Sequence, residues 1–462
     1  MRHKIRVRTI TLMALFTTLL LTGFELRSSQ ASATQQTQTV ESGPGWTLID
    51  VPGVKPEYGF GYSAALNEET LVVSAPGTPL PDKQIEPTIG EISAGGLAGA
   101  VNVFQRQGES WTKATKLTPG DAEAGDQFGI RLALSGDTLA VSAPYKWTPA
   151  GGNGAGVVYI FKREGDDWIQ QAELFAPDGA PYDLFGNALA LKGDTLAIGA
   201  RAADSGGVTN SGAVYVFQRQ GEEWSMQARL EAEAPAARDY FGESLLLTGD
   251  ALIIGAPGHD EQDSGDNFGA VYLFRRAGDD WQAAGRLSNP DLEANAQFGY
   301  SLALNEDSGI LAAFTQNKGP TPDLGPGSED YASLVNYTGG VFLFNGQGVD
   351  WRYQERLIPE QRVYAPFYFV REARVALNES GSNGEVLVVS LGSSGIGFYQ
   401  RQGDQWDERP WPQIPYKDTG SYLGGWFLAI GEGSLVFMAG HPVRTDVPAI
   451  LLIDLAEWRN NQ

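Results

Sequence analysis

The chain has 462 residues, 33 basic and 56 acidic side chains, a net charge of −23 at pH 7, and no cysteine. Such acidity opposes phosphate backbones and anionic lipid, so nucleic acid is not an expected partner. The missing cysteines exclude disulfides and thiolate chemistry.

At the N-terminus, Arg2, Lys4, Arg6 and Arg8 precede an apolar stretch over 9–24 and the small-residue motif Ala31-Ser32-Ala33. That is the layout of a signal peptide over 1–33, cleaved after Ala33. The product is expected outside the cytoplasm (extracellular, periplasmic or at the cell surface). No membrane insertion is expected after cleavage, since nothing downstream is long and apolar enough to span a bilayer. Removing 1–33 leaves 28 basic against 55 acidic side chains, a net charge of −27, and only His259 and His441. With two histidines, a histidine-rich zinc site or a histidine-based triad has almost no material to draw on. Residues 34–45 read as a flexible segment leading into the repeats.

From there the chain repeats. Phe-Gly pairs stand at Phe60-Gly61, Phe128-Gly129, Phe185-Gly186, Phe241-Gly242 and Phe298-Gly299. Each opens an alternating strand such as "RLALSG". A turn and a second strand follow ("TLVVSAP", "TLAVSAP", "TLAIGAR", "ALIIGAP"), then a variable loop and a third strand ("GAVNVFQR", "GVVYIFKR", "GAVYVFQR", "GAVYLFRR"). A "GDDW" or "GEEW" turn starts a fourth strand.

The tryptophans extend the count. Trp111, Trp168, Trp224 and Trp281 each precede the next Phe-Gly phenylalanine by 17 residues. The same offset from Trp351 and Trp406 reaches Tyr368 and Leu423, marking two decayed repeats with third strands "GIGFYQR" and "AILLIDL". "WTLIDV" at Trp46 is a fourth strand without a preceding repeat, and the last repeat lacks its fourth strand. Joining the two ends gives an all-β, seven-bladed β-propeller of four-stranded antiparallel blades over 46–458, its ring closed by the N-terminal strand. Trp458 could instead begin a competing outer strand.

These residues resemble the FG-GAP repeat of the integrin α-subunit head, and more closely the FG-GAP repeats of exported bacterial proteins. "FGESLLLTGDALIIGAPG" (241–258) carries the Phe-Gly and Gly-Ala-Pro elements, and "GAVYVFQRQGEEW" the third and fourth strands. The resemblance implies a seven-bladed propeller. Within it, the phenylalanines are expected between blades and the glycines where backbones approach closely or φ is positive. The prolines should end second strands, and the tryptophans pack at outer blade edges.

Integrin-type repeats also carry a D-x-D-x-D-G calcium loop between first and second strands. The turns here, such as "SGD" (135–137), "KGD" (192–194) and "TGD" (248–250), are too short to wrap a cation with six or more oxygens. Asp137, Asp194 and Asp250 read as turn residues capping their own backbone. No cofactor is required by this reading. Calcium keeps one opening in "GHDEQDSGDNFG" (258–269), where Asp260, Glu261, Asp263 and Asp266 either converge on a cation or form a solvated acidic loop. "DAEAGDQ" (121–127) raises the same question.

Loops joining second to third strands share a face with the blade-to-blade connections, and both are long. Variable loops on a rigid scaffold are where binding residues collect. The longest span 77–98 and 316–338. Tyr145, Trp147, Tyr331 and Tyr337 stand in polar, glycine-rich loops, either as ligand contacts for sugar rings or peptide side chains, or as staples between loops. The function expected is an exported, non-catalytic, monomeric binding or adhesion module for a surface protein or glycan. The alternatives are a carboxylate-dependent hydrolase or lyase acting on polysaccharide, and a structural cell-envelope component.

Overall fold

The computed structural model describes residues 40–43, 46–51, 58–79, 97–108, 110–260, 267–287, 292, 294–316, 340–358, 374–377, 385–390, 396–409, 429–431, 434–440 and 448–454. Residues 1–33, read above as a signal peptide, and Tyr368, Leu423, His441 and Trp458 lie outside them. Among the described residues the chain forms strands, turns and loops, with no α-helix.

The strands are β1 (Val40–Gly43) and β2 (Trp46–Asp50), then successive sets of four. The first blade holds β3 (Ala64–Leu66), β4 (Thr70–Ala75), β5 (Ala100–Gln107) and β6 (Ser110–Leu117); the second β7 (Leu132–Ser135), β8 (Thr138–Ala143), β9 (Val157–Glu164) and β10 (Asp167–Leu174). The third holds β11 (Ala188–Lys192), β12 (Thr195–Ala200), β13 (Ala213–Gln220) and β14 (Glu223–Leu230). The fourth holds β15 (Ser244–Leu247), β16 (Ala251–Ala256), β17 (Ala270–Ala277) and β18 (Asp280–Arg286). In the fifth are β19 (Phe298–Asn305), β20 (Ile310–Thr315), β21 (Val341–Gln347) and β22 (Asp350–Leu357). The sixth has β23 (Arg374–Leu377), β24 (Val386–Ser390), β25 (Ile396–Gln402) and β26 (Gln405–Glu408). Last come β27 (Ala429–Gly431), β28 (Ser434–Gly440) and β29 (Pro448–Asp454).

Each set is one antiparallel meander, and the first strands β3, β7, β11, β15, β19, β23 and β27 touch neighbour to neighbour in that order, with β27 meeting β3. The fold is a seven-bladed β-propeller. Its last blade is completed from the other end of the chain, where β2 pairs with β29 from Trp46↔Ile453 to Asp50↔Ala449. Ile49, Ile450 and Leu452 of that blade then pack against Phe60, Leu71 and Phe104 of the first. One expectation is corrected here. Val40–Gly43, assigned to a flexible segment, forms β1 on the outer edge of β2, because a strand already held by β29 offers a free row of backbone groups.

The second strands of the first five blades are buried at every position, since each blade is covered on both faces by its neighbours. The phenylalanine of each Phe-Gly pair fills the gap between blades. Phe128 meets Val101 and Val103 of the first blade and stacks edge-on against Tyr159 and Phe161 of its own, at 5.5 and 6.0 Å. Gly129 has φ +102°, and a Cβ there would lie 2.8 Å from that of Ser74 in the preceding blade, so both reasons for glycine hold. On the outer strands, Trp224 and Trp281 lie opposite Arg219 and Arg276, whose guanidinium groups sit 5.5 and 5.8 Å from the ring centroids.

Candidate functional site

The face carrying the long loops is built on a repeated corner. The residues one and three places before the Phe-Gly phenylalanine have positive φ: Gln127, Tyr182 and Leu184, Arg238 and Tyr240, and Asn295 and Gln297. Each such non-glycine residue costs of order 1 kcal/mol. The compensation is a ladder to the preceding blade. Tyr182, Leu184 and Phe185 donate their N–H groups to the carbonyls of Asn153, Gly154 and Ala155 at 2.9–3.1 Å, and Arg238, Tyr240 and Phe241 do the same to Thr209, Asn210 and Ser211. Loop and connection are thereby joined into one surface at each blade boundary.

Between the two left-handed residues, three blades place a buried aspartate. Asp126, Asp183 and Asp239 each accept the backbone N–H three residues back, from Glu123, Ala180 and Ala236 at 2.8–2.9 Å. What faces the carboxylate differs from blade to blade. Lys146 Nζ reaches Asp126 at 2.8 Å and Asp121 at 3.1 Å. Burial works against that ammonium, but Asp126 and Asp121 hold it above its ordinary value. At the same place the third blade has Ala203. No lysine stands at Asp183, and burial raises this carboxyl, with the Ala180 N–H and Arg229 opposing and Asp204 and Asp178 reinforcing. The fourth blade has His259, whose Nε2 lies 2.6 Å from Arg286 Nη1 while Nδ1 lies 3.4 Å from both Asp239 Oδ1 and Tyr272 OH. A guanidinium only donates, so Nε2 accepts and Nδ1 carries the proton. His259 is thus a buried member of a polar cluster. Burial pushes the Tyr272 phenol up to about 12, with Asp239 adding to the shift.

Of the aromatics singled out in the sequence, Tyr145 and Trp147 are exposed, at 44% and 51%, in the loop between β8 and β9. Tyr331 and Tyr337 lie outside the described residues. Two further exposed rings, Phe175 at 53% and Tyr182 at 63%, sit in the connection from β10 to β11 that is laddered to the same loop. Sequence reading did not single them out. The signal available was their failure to recur in the other blades. Of the acidic loop only Asp260 is described, and it is half-buried; Glu261, Asp263 and Asp266 are not. No group of three or more His, Cys, Asp or Glu among the described residues could hold a metal ion.

A second cluster lies where the first strands of the third and fourth blades open onto the central channel. Arg201 Nη1 bonds Glu243 Oε2 at 3.0 Å, and the backbone N–H of Arg201 donates to Asn187 Oδ1 at 2.8 Å. Asn187 Nδ2 in turn donates to the Gly242 carbonyl at 3.1 Å, across the blade boundary. The guanidinium stands 5.9 Å from the centroid of Tyr240. Burial disfavours its charge, but Glu243 outweighs that with help from Tyr145 and Tyr300, holding it above the ordinary arginine value.

The opposite face is a scaffold. Arg163 pairs with Glu69 at 3.0 Å, Arg219 donates to Thr138 Oγ1 at 2.9 Å, and Arg276 to Thr195 Oγ1 at 3.3 Å and Gln218 Oε1 at 2.9 Å. Each of these three third-strand arginines thus reaches the blade before its own, whereas Arg401 pairs with Glu385 of its own blade at 2.6 Å. Asp194 accepts from Arg219 Nε at 2.7 Å instead of capping its own turn. In the "TGD" turn the local cap is Thr248, whose Oγ1 accepts the Ala251 N–H at 2.8 Å and donates to Asp250.

A family model described as FG-GAP repeat matches residues 111–161, 168–217 and 224–274. Each matched stretch opens on a fourth-strand tryptophan and closes on a third-strand aromatic, so it straddles a blade boundary. No curated protein matches the chain. Among solved structures, a candidate 6-phosphogluconolactonase from Bacteroides uniformis ATCC 8492 is similar at 10% identity and a TM-score of 0.48, covering 79% of this chain and 90% of that one. A likeness of that degree carries no functional argument.

Proposed function

Taking as premise that the chain is an FG-GAP repeat protein folded as a seven-bladed propeller, we propose that it is an exported binding module whose long-loop face meets a surface protein or glycan. The observation that carries this reading is a set of exposed rings, Tyr145, Trp147, Phe175 and Tyr182, on one face. Four exposed rings stand on two segments fixed to each other by backbone hydrogen bonds. Covering roughly 100 Å² of such a ring is worth about 2.5 kcal/mol before the costs of association. Aromatic anchors held on rigid backbone lose little entropy on binding. Among the described residues the short-turn face exposes no large aromatic ring.

The test is binding of the labelled chain from Thr34 onward to an array of glycans and surface proteins, with calcium and then with chelator. Saturable binding that Trp147→Ala or Tyr182→Ala weakens at least about tenfold supports the reading. Binding unchanged by both substitutions moves the site off these rings, and silence across the array removes the proposal's footing. Loss on chelation would implicate the acidic loop at 258–269.

A further inference from the structure

The Arg201 cluster departs from the repeat in a coordinated way. Where Arg201 follows the second strand of its blade, the first, second and fourth blades have Pro76, Pro144 and Pro257. Proline there ends the strand and needs no acceptor. Arginine adds an N–H, and Asn187 accepts it, standing where the other described blades have Tyr62, Ile130, Glu243 and Tyr300. Glu243 takes one guanidinium nitrogen from the next blade, and its side chain is only 9% exposed. Three substitutions on two blades therefore serve one purpose, which is to hold a guanidinium at the channel mouth in a fixed orientation.

That guanidinium is not used up. Nη1 is committed to Glu243, whereas Nε and Nη2 have no acceptor among the described residues. The side chain as a whole is 39% exposed. Local charge also runs against that of the chain. The described openings of the first strands (62–63, 130–131, 187–188, 243–244 and 300–301), taken with Arg201, carry two arginines against one glutamate, in a protein of net charge −23.

We propose that this is a carboxylate-binding subsite for an acidic sugar, with the Nε–Nη2 edge of Arg201 gripping the carboxylate in a bidentate fork. A fixed guanidinium edge matches a carboxylate in geometry and gives short, charge-assisted hydrogen bonds. Tyr240 decides which carboxylate, its ring centroid 5.9 Å from the guanidinium carbon. A uronate ring is rigid, with its carboxylate on the rim and C–H groups on its faces, so it meets the guanidinium edge and a phenol ring together. A peptide terminus carries the same group on a flexible chain and pays more to be ordered. The subsite rests on the binding-face reading and specifies the chemistry of its partner.

The test is calorimetric titration of the chain from Thr34 onward with tetragalacturonate, its fully methyl-esterified form, and a tetrapeptide with a free C-terminus. The acid oligomer should bind saturably, and the ester at least about tenfold more weakly. Arg201→Gln should lose the same factor, measured at a temperature where its melting curve shows it folded. Arg201→Lys, which keeps the charge but not the fork, should fall between and covers the case in which Arg201→Gln does not fold. Equal binding of acid and ester, or binding of neither, overturns the subsite, as does retention of acid binding by Arg201→Gln. Tighter binding of the peptide than of the uronate overturns the sugar assignment. Array binding lost in Trp147→Ala but present in Arg201→Gln, with no uronate binding, would sink the subsite while leaving the wider binding face intact.

Discussion

Lys146 Nζ lies 2.8 Å from Asp126 Oδ2, and both side chains are more than nine-tenths buried. One blade further on, Asp183 is buried in the same corner and Ala203 stands in the place of the lysine. The same backbone device thus faces a buried lysine in one blade and an alanine in the next.

Removing the lysine should therefore be expensive. Lys146→Met leaves Asp126 as an uncompensated buried carboxylate, for which a loss of about 3 kcal/mol is expected. The double variant Lys146→Met, Asp126→Asn should recover much of it. Urea denaturation of wild type, both single variants and the double variant gives the coupling directly.

At Asp183 the opposite sign is expected. Burial raises its folded-state value above that of the unfolded chain. Its proton is therefore held more tightly when folded, and stability is lost as pH rises from the unfolded value of about 3.9 through the folded one. Above that window the penalty is fully present. Asp183→Asn keeps an oxygen for the Ala180 N–H and removes the charge. It should raise the melting temperature at pH 7, by a margin that shrinks as pH falls towards 4. A gain that is independent of pH would mean the charge is not the cause.

Phe128 and Gly129 make separable contributions at one blade boundary. Phe128→Ala opens a cavity between two blades and should cost about 3–5 kcal/mol. Gly129→Ala meets both a left-handed backbone and the Cβ of Ser74, so it should destabilise by at least about 1 kcal/mol despite its small size. Chemical denaturation of each variant checks both values.

Arg276 links its blade to the preceding one through Thr195 and Gln218. These bonds are partly exposed, so Arg276→Ala should cost only about 1 kcal/mol. Because they lie on the short-turn face, the same variant should bind the array partner as wild type does. Hydrogen exchange at the Thr195 turn should speed up locally, without loosening the long-loop face.

The sequence alone determined the architecture. Each Phe-Gly pair, second strand and tryptophan recurs at nearly constant spacing, so strand order and blade number are local properties read one repeat at a time. The unpaired strand at Trp46 even indicated how the last blade is completed, as its pairing with β29 confirms. The sequence also made Tyr145 and Trp147 visible, because they interrupt a pattern. Only the tertiary structure decided which side chains meet. Lys146, Ala203 and His259 occupy equivalent positions, yet their surroundings depend on connections of unequal length and composition. Arg201 and Glu243 come together across a blade boundary, as do Asn187 and Gly242. Periodicity constrains the backbone of a propeller through packing shared by every blade. It says nothing of lateral contacts between loops that differ from blade to blade, and those contacts assemble the charged and aromatic groups of the candidate site.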